Sequence, residues 1–335
     1  MHQPRQVAIL GAGGWGTALA VHLARAGHDT CLWARDAALV ADMSERRANA
    51  VYLPDIRFPA RLRVTGELAD ALCEAELIVA AIPSHGTRDI LKCASRMIRP
   101  GSTVVSATKG LEQDTLFRMS EVIEQELGSD VHVAVLSGPS FAAELARQLP
   151  TAVSVASRDA ASVERVQADF RTGYFRLYGT SDVVGVEIGA ALKNVIAIAA
   201  GVTEGLALGH NALAGLITRG LAEITRLACA AGAQQETLAG LTGLGDLVLT
   251  CTGSLSRNRH VGVELARGRS VEEVLSGMKM VAEGVRTTEA ALALGARHGV
   301  ELPITTQVAA LLAGRKDART ALYDLMLRPQ RSEAG

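Results

Sequence analysis

Three charged residues stand where charge is hardest to place. Lys193 lies in Glu187-Ile188-Gly189-Ala190-Ala191-Leu192-Lys193-Asn194, an otherwise apolar stretch with helical spacing. Burial lowers a lysine's pKa because desolvation disfavours the charged form, and a second cation nearby lowers it further. Such an amine can exchange protons near neutral pH. A candidate for that cation is Lys109 in Ser106-Ala107-Thr108-Lys109-Gly110-Leu111-Glu112. This segment follows a strand-like run, so Lys109 falls at a strand's C-terminal end, where ligands of α/β proteins collect. The third residue is Asp246, a single carboxylate in the glycine-bounded Gly243-Leu244-Gly245-Asp246-Leu247.

Two further segments suit binding. Ser137-Gly138-Pro139-Ser140-Phe141-Ala142 is a turn of small residues leading towards a helix. Ser254-Leu255-Ser256-Arg257-Asn258-Arg259 precedes a helix-like stretch, His260–Arg267, and offers backbone donors and a guanidinium fork to phosphate oxygens. Plainer readings exist for each: a snorkelling lysine at 193, a helix-capping carboxylate at 246, an N-cap at Ser256–Asn258. His85, in Pro83-Ser84-His85-Gly86 just past a strand, is read as loop structure, and Glu187 is left unassigned.

The clearest pattern is Val7-Ala8-Ile9-Leu10-Gly11-Ala12-Gly13-Gly14-Trp15-Gly16-Thr17-Ala18. It sets G-x-G-x-x-G where a strand turns into a helix, the arrangement that binds a dinucleotide. Gly11 permits the tight turn, Gly13 lets the pyrophosphate approach the backbone, and Gly16 allows close helix–strand packing. The N–H groups at the helix start then face phosphate. The next strand ends in Trp33-Ala34-Arg35-Asp36. An acidic group at this tip favours NAD, whereas an arginine accepts the 2′-phosphate of NADP. Arg35 comes first, which favours NADP; Asp36, 20 residues after Gly16, keeps NAD open.

The elements that must position these residues differ between the two halves. Short apolar, β-branched runs recur early: Val7–Leu10, Thr30–Trp33, Leu77–Ile82, Thr103–Ala107, Val133–Leu136 and Ala152–Ala156. Helix-like stretches such as Gly14–Ala26 and Thr87–Met97 separate several of them, which predicts βαβ units and a parallel sheet. No proline occurs between Pro150 and Pro303, and Val183–Leu206, Leu213–Ala231 and Val271–Leu275 have helical periodicity. The expectation is an α/β, Rossmann-like dinucleotide-binding domain over residues 1–182, followed without a flexible linker by an all-α catalytic and substrate domain over 183–335.

Bulk properties narrow the function. With 48% hydrophobic and 21% charged residues the chain is set to fold, not to remain disordered. A formal net charge of −1 gives no electrostatic reason to expect nucleic acid or an anionic membrane as partner. Lys193, Glu204 and Arg219 interrupt the most apolar region, so no membrane insertion is expected. Five scattered cysteines without a Cys-x-x-Cys suit a reducing cytoplasm, and no His/carboxylate cluster calls for a metal.

Taken in order from Val7 to about Gln307, the segments GAGGWGTALA, SATKGLE, SGPSFAAELA, GAALKNVIAIAAG, GLGDLVLT, SRN and VAEGVRT resemble the bacterial-type NAD(P)-dependent glycerol-3-phosphate dehydrogenases. The resemblance implies interconversion of sn-glycerol 3-phosphate and dihydroxyacetone phosphate, typically to supply membrane phospholipid backbones. It places Trp15, Arg35, Ala142, Val281 and Glu283 at the cofactor, beside Gly14 of the glycine turn, and Lys109 at both cofactor and substrate. Gly138, Ser140, Ser256, Arg257 and Asn258 would line the substrate, the last three at its phosphate, with Arg257 also near the cofactor. Lys193 would be the acid/base and Asp246 would hold substrate beside it. A homodimer is implied on the same ground. Rival readings are a β-hydroxyacid or 6-phosphogluconate-type dehydrogenase, which also uses a helix lysine, and a non-catalytic dinucleotide sensor.

Overall fold

A computed structural model describes residues 3–278 and 280–330. Ten strands form in the first half: β1 (Gln6–Leu10), β2 (Asp29–Trp33), β3 (Ala48–Asn49), β4 (Leu53–Arg57), β5 (Leu62–Thr65), β6 (Leu77–Ala80), β7 (Thr103–Ser106), β8 (His132–Ser137), β9 (Thr151–Ala156) and β10 (Phe175–Thr180). Between them lie α1 (Gly14–Arg25), α2 (Ala37–Arg46), α3 (Leu68–Leu72), α4 (Ser84–Ala94), α5 (Met119–Leu127), α6 (Ala142–Ala146) and α7 (Ala160–Phe170). Eight strands make one sheet in the order β10-β9-β8-β7-β6-β1-β2-β5, while β3 and β4 pair apart from it.

The inner strands are apolar throughout because both faces are covered. Val7 and Ile9 of β1 join the core under α1 and α7, whereas Ala8 and Leu10 join the opposite core with Leu91 of α4 and Ile123 of α5. This is the period-2 alternation of a strand buried on both faces. β1 pairs with β2 on one side and β6 on the other, so the order of connection reverses at its C-terminal end and opens a crevice there. The sheet is parallel except at β8–β9. There the chain leaves the C-terminal end of β8, passes through the single short helix α6 and returns alongside. An antiparallel partner needs no long crossover, which is why this expected parallel neighbour runs the other way.

From Val183 onward the chain is helical: α8 (Val183–Gly205), α9 (Gly209–Ala230), α10 (Gln235–Ala239), a single π-helical turn (Leu241–Gly245), α11 (Asp246–Thr252), α12 (Arg257–Ala266), α13 (Val271–Ser276), α14 (Glu283–His298), α15 (Pro303–Leu312) and α16 (Ala318–Met326). α8 is the axis of this half and is buried on nearly all sides by α9, α11, α12 and α14. It is long and apolar enough to cross a membrane, yet 89% of its most apolar window is buried inside the protein. α12 crosses it closely because the contact is glycine on glycine. A Cβ on Gly201 would fall 1.9 Å from the Arg259 carbonyl oxygen, and one on Gly262 1.9 Å from that of Ile198.

Candidate active site

The glycine turn between β1 and α1 is built by backbone. Gly11 has φ +111°, and a Cβ there would lie 2.6 Å from the Ala81 carbonyl oxygen; a Cβ on Gly16 would lie 1.9 Å from that of Gly11. Both positions therefore exclude a side chain. Gly13 differs: apart from its chain neighbours, no atom of the described residues lies within 4 Å of its would-be Cβ. The space in front of the first turn of α1 is open, as close approach of a pyrophosphate requires. Above it, the Cβ position of Gly14 is 3.4 Å from the Tyr52 carbonyl oxygen and 3.8 Å from Ala142 Cβ, so the start of α6 borders the turn. Trp15 packs at the same point with its indole N–H buried and no partner among the described residues, a donor that a bound dinucleotide could satisfy. These features fit a dinucleotide cofactor.

Arg35, just beyond β2, is exposed. Asp36 is not free: its Oδ1 accepts from the N–H groups of Ala38 (2.9 Å) and Leu39 (3.2 Å) and so caps α2. On the opposite flank Glu283 begins α14 and accepts from Ser84 N (3.2 Å) and Ser84 Oγ (2.8 Å). The helical half thereby touches the start of α4 beside the cofactor crevice, and Ser84 is a partner to which the sequence reading gave no role.

The three charged residues singled out first converge. Lys193 Nζ donates to Asp246 Oδ1 at 2.7 Å, and Lys109 Nζ donates to Asp246 Oδ2, also at 2.7 Å. Lys109 donates a second bond, 3.0 Å, to the Gly138 carbonyl. The side chains of Lys193 and Asp246 are 6% and 1% exposed, that of Lys109 18%, so Lys109 alone among the three has appreciable access to water. Burial pulls Lys193 down to about 8, Asp246 opposes this, and Lys109 adds to it. Two cations against one anion leave a net positive charge in a nearly dry place, where it acts strongly on any negative charge developing nearby.

Local structure explains how these side chains meet. Asp246 follows the π-helical turn, whose wider ring (Gly245 N to Gly240 O, 3.1 Å) delivers it to the start of α11. Thr250, one turn on, accepts from Lys193 Nζ at 2.7 Å and donates to the Asp246 carbonyl at 2.6 Å. The sequence reading missed Thr250, although its i+4 spacing from Asp246 was the available signal. Gly138 has φ +137°, and its carbonyl also takes the Ser140 hydroxyl at 2.8 Å.

At the start of α12 the side chains are already engaged. Ser256 caps the helix by accepting from Arg259 N (3.3 Å). Asn258 donates to Asn194 Oδ1 (2.9 Å) and accepts from Gly284 N (2.9 Å), linking α8, α12 and α14. Arg257 is exposed and donates to the Val281 carbonyl at 2.7 Å, which brings those two predicted cofactor neighbours together. A phosphate arriving here would meet the guanidinium of Arg257 and the free N–H groups of the first turn. A separate surface cavity of about 440 Å³, lined by Val133, His132 and Arg158 among others, lies at the opposite end of β8 and contains none of the predicted site residues.

Comparison with known proteins agrees along the whole chain. The family model for the NAD-dependent glycerol-3-phosphate dehydrogenase N-terminus matches residues 6–163, and that for the C-terminus matches 182–323. The chain belongs to the NAD-dependent glycerol-3-phosphate dehydrogenase family. It is 50% identical over 332 residues to the glycerol-3-phosphate dehydrogenase (NAD(P)+) of Koribacter versatilis, covering 98% of each chain. Against the enzyme of the same name from Citrifermentans bemidjiense it is 48% identical over 330 residues, again 98% of each. The crystal structure of glycerol-3-phosphate dehydrogenase from Coxiella burnetii superposes with a TM-score of 0.94 at 40% identity, over 97% of this chain and 99% of that one. This dehydrogenase is therefore an oxidoreductase acting on a CH–OH group with NAD or NADP.

Proposed function

We propose that Lys193 is the acid/base with which this dehydrogenase interconverts dihydroxyacetone phosphate and sn-glycerol 3-phosphate. The observation that carries the reading is the buried Lys193–Asp246–Lys109 arrangement on the crevice side of the sheet. Bound nicotinamide supplies or accepts the hydride. Lys193 then gives a proton to the substrate's central oxygen in reduction, or takes one in oxidation, and a pKa of about 8 suits both tasks near neutrality. Lys109 stabilises negative charge on that oxygen, and Asp246 keeps both amines oriented. Arg257 and the first turn of α12 hold the phosphate, fixing the three-carbon chain relative to the amine. Exposed Arg35, beside an Asp36 occupied in capping, supports a preference for NADPH.

The product serves glycerophospholipid synthesis in this reading, and five free cysteines, two of them buried, fit a cytoplasmic enzyme. An exposed apolar row on and just past α16, formed by Tyr323, Met326 and Leu327, supports a homodimer, which sedimentation would test. The deciding experiment is a steady-state assay with NADPH and NADH against dihydroxyacetone phosphate and a β-keto acid. Oxidation of NADPH by dihydroxyacetone phosphate is expected to be the fastest combination. Faster turnover of the β-keto acid would overturn the substrate, and cofactor binding without turnover would overturn catalysis.

A further inference from the structure

Lys193 and Lys109 share one carboxylate but come from different parts of the chain. Lys193 is on α8, whereas Lys109 lies in the connection from β7 to α5. That connection is built into the helical half. Leu111 is buried in the core of Ile188, Leu192 and Val195, and Leu116 packs against the same core. Its arms are drawn together by the bridge between Leu111 and Arg118 and by Glu112 N donating to the Phe117 carbonyl at 2.9 Å. Arg88 of α4 grips the outer side through Glu112, with two bonds of 2.7 Å.

Where the connection ends, one buried carboxylate takes hold of it. Glu187, its side chain 3% exposed, accepts from Arg118 Nη1 (3.0 Å), Ser120 N (2.8 Å) and Ser120 Oγ (2.5 Å). A carboxylate so far from water persists only when it is paired and hydrogen-bonded, and here every donor comes from the same short segment. Glu187 precedes Lys193 by six residues on α8, about 9 Å along the helix axis. The grip and the acid/base are thus on one rigid element.

We infer that Glu187 is a positioning residue: by holding Arg118 and Ser120 against α8 it sets the separation at which Lys109 and Lys193 share Asp246. This rests on the acid/base reading of Lys193, so Lys193→Ala is measured alongside. Another buried carboxylate provides the structural control. Glu223 accepts from Ile304 N, Thr305 N and Thr305 Oγ1 at 2.7–2.9 Å, caps α15 and touches neither lysine.

The test compares Glu187→Gln and Glu223→Gln by melting temperature, kcat, KM for each ligand and the pH dependence of kcat. Both variants should melt lower. Only Glu187→Gln should lose kcat, by about 10–100-fold, the scale expected when reacting groups are displaced by about an ångström. The groups facing Lys193 are Asp246, Thr250, Cys251 and Lys109. With Lys109 displaced its repulsion weakens, so the pH limb due to Lys193 should move to higher pH. Wild-type kcat with an unmoved limb in Glu187→Gln would overturn the inference, and so would the same loss and shift in Glu223→Gln. Should Glu187→Gln fail to fold, Arg118→Lys carries the same measurements, since it keeps the charge but loses the guanidinium geometry. Full turnover in Lys193→Ala would instead remove the acid/base reading itself.

Discussion

The two ends of the crevice are prepared by opposite means. At the glycine turn the protein removes side chains, so that backbone N–H groups and open space face the place proposed for the cofactor. At the lysine pair it crowds charge together, with two amines and one carboxylate nearly out of water. The first solution recognises a group that hardly changes during reaction, for which fixed dipoles suffice. The second must respond to charge that appears and disappears, which calls for groups able to move a proton. Binding and chemistry are therefore separable here, and substitutions at each end should separate them.

The largest effect is expected from Lys193→Ala. Turnover should fall by about 10²–10⁴-fold, the range for loss of a general acid/base, while cofactor affinity measured by nicotinamide fluorescence stays close to wild type. Equal losses in both would mean that the two ends are not independent. The wild-type pH dependence sharpens the same point. On the proposed mechanism reduction needs Lys193 protonated and oxidation needs it neutral. Reduction should therefore decline as pH rises through about 8 while oxidation climbs through the same region. Parallel profiles in the two directions would contradict a single amine serving both.

Next in size is Gly16→Ala. Its Cβ would overlap the Gly11 carbonyl oxygen at 1.9 Å, so the turn must shift, at a cost of about 1–3 kcal/mol or more in unfolding free energy. Gly13→Ala should behave differently. Gly13 has φ −67° and ψ 177°, which alanine adopts freely, and its Cβ meets no atom of the described residues beyond its chain neighbours. Stability should hold while cofactor affinity falls about tenfold or more, a loss of about 1.4 kcal/mol. Denaturant titration and cofactor titration on both variants give the comparison. Unchanged cofactor binding in Gly13→Ala would mean that the open space in front of α1 is not where the pyrophosphate lies.

This contrast also governs what could be read from the sequence. The glycine turn is local: strand, turn and helix fall within Gln6–Arg25, and the whole pattern is visible in one window. The inner strands were legible for the same reason, because burial on both faces leaves an unbroken apolar run. β4, β5 and β10 were not, since Asp55, Arg57, Arg63 and Arg176 interrupt strands that face water on one side or lie at an edge. The reversal of β9 leaves no mark in its own residues, because direction is set by the length of what precedes it. At the chemical end the residue types could be named but their partners could not. Lys109, Lys193 and Asp246 are far apart in sequence and meet only through packing around α8. Asn258, a substrate ligand by resemblance, also bonds Asn194 and Gly284 through its side chain, contacts that only the fold reveals.

The narrowest expected effect, confined to one of the two cofactors, concerns cofactor choice at the far edge of the glycine turn. Arg35 is exposed, whereas the Asp36 carboxylate is engaged by two N–H groups of α2. The cap commits Oδ1 of Asp36 and fixes how its carboxylate points, while Arg35 can meet a 2′-phosphate without breaking a bond. Arg35→Ala should therefore lower kcat/KM for NADPH by about 10–100-fold, the worth of a hydrogen-bonded ion pair of about 1.5–3 kcal/mol, and leave NADH nearly unchanged. Binding of adenosine 2′,5′-bisphosphate to the enzyme without substrate should weaken in the same proportion. Because the proposal assigns Arg35 to the end that binds, kcat at saturating NADPH should stay near wild type. If kcat falls instead, with binding kept, the division between a cofactor end and a chemical end is drawn in the wrong place.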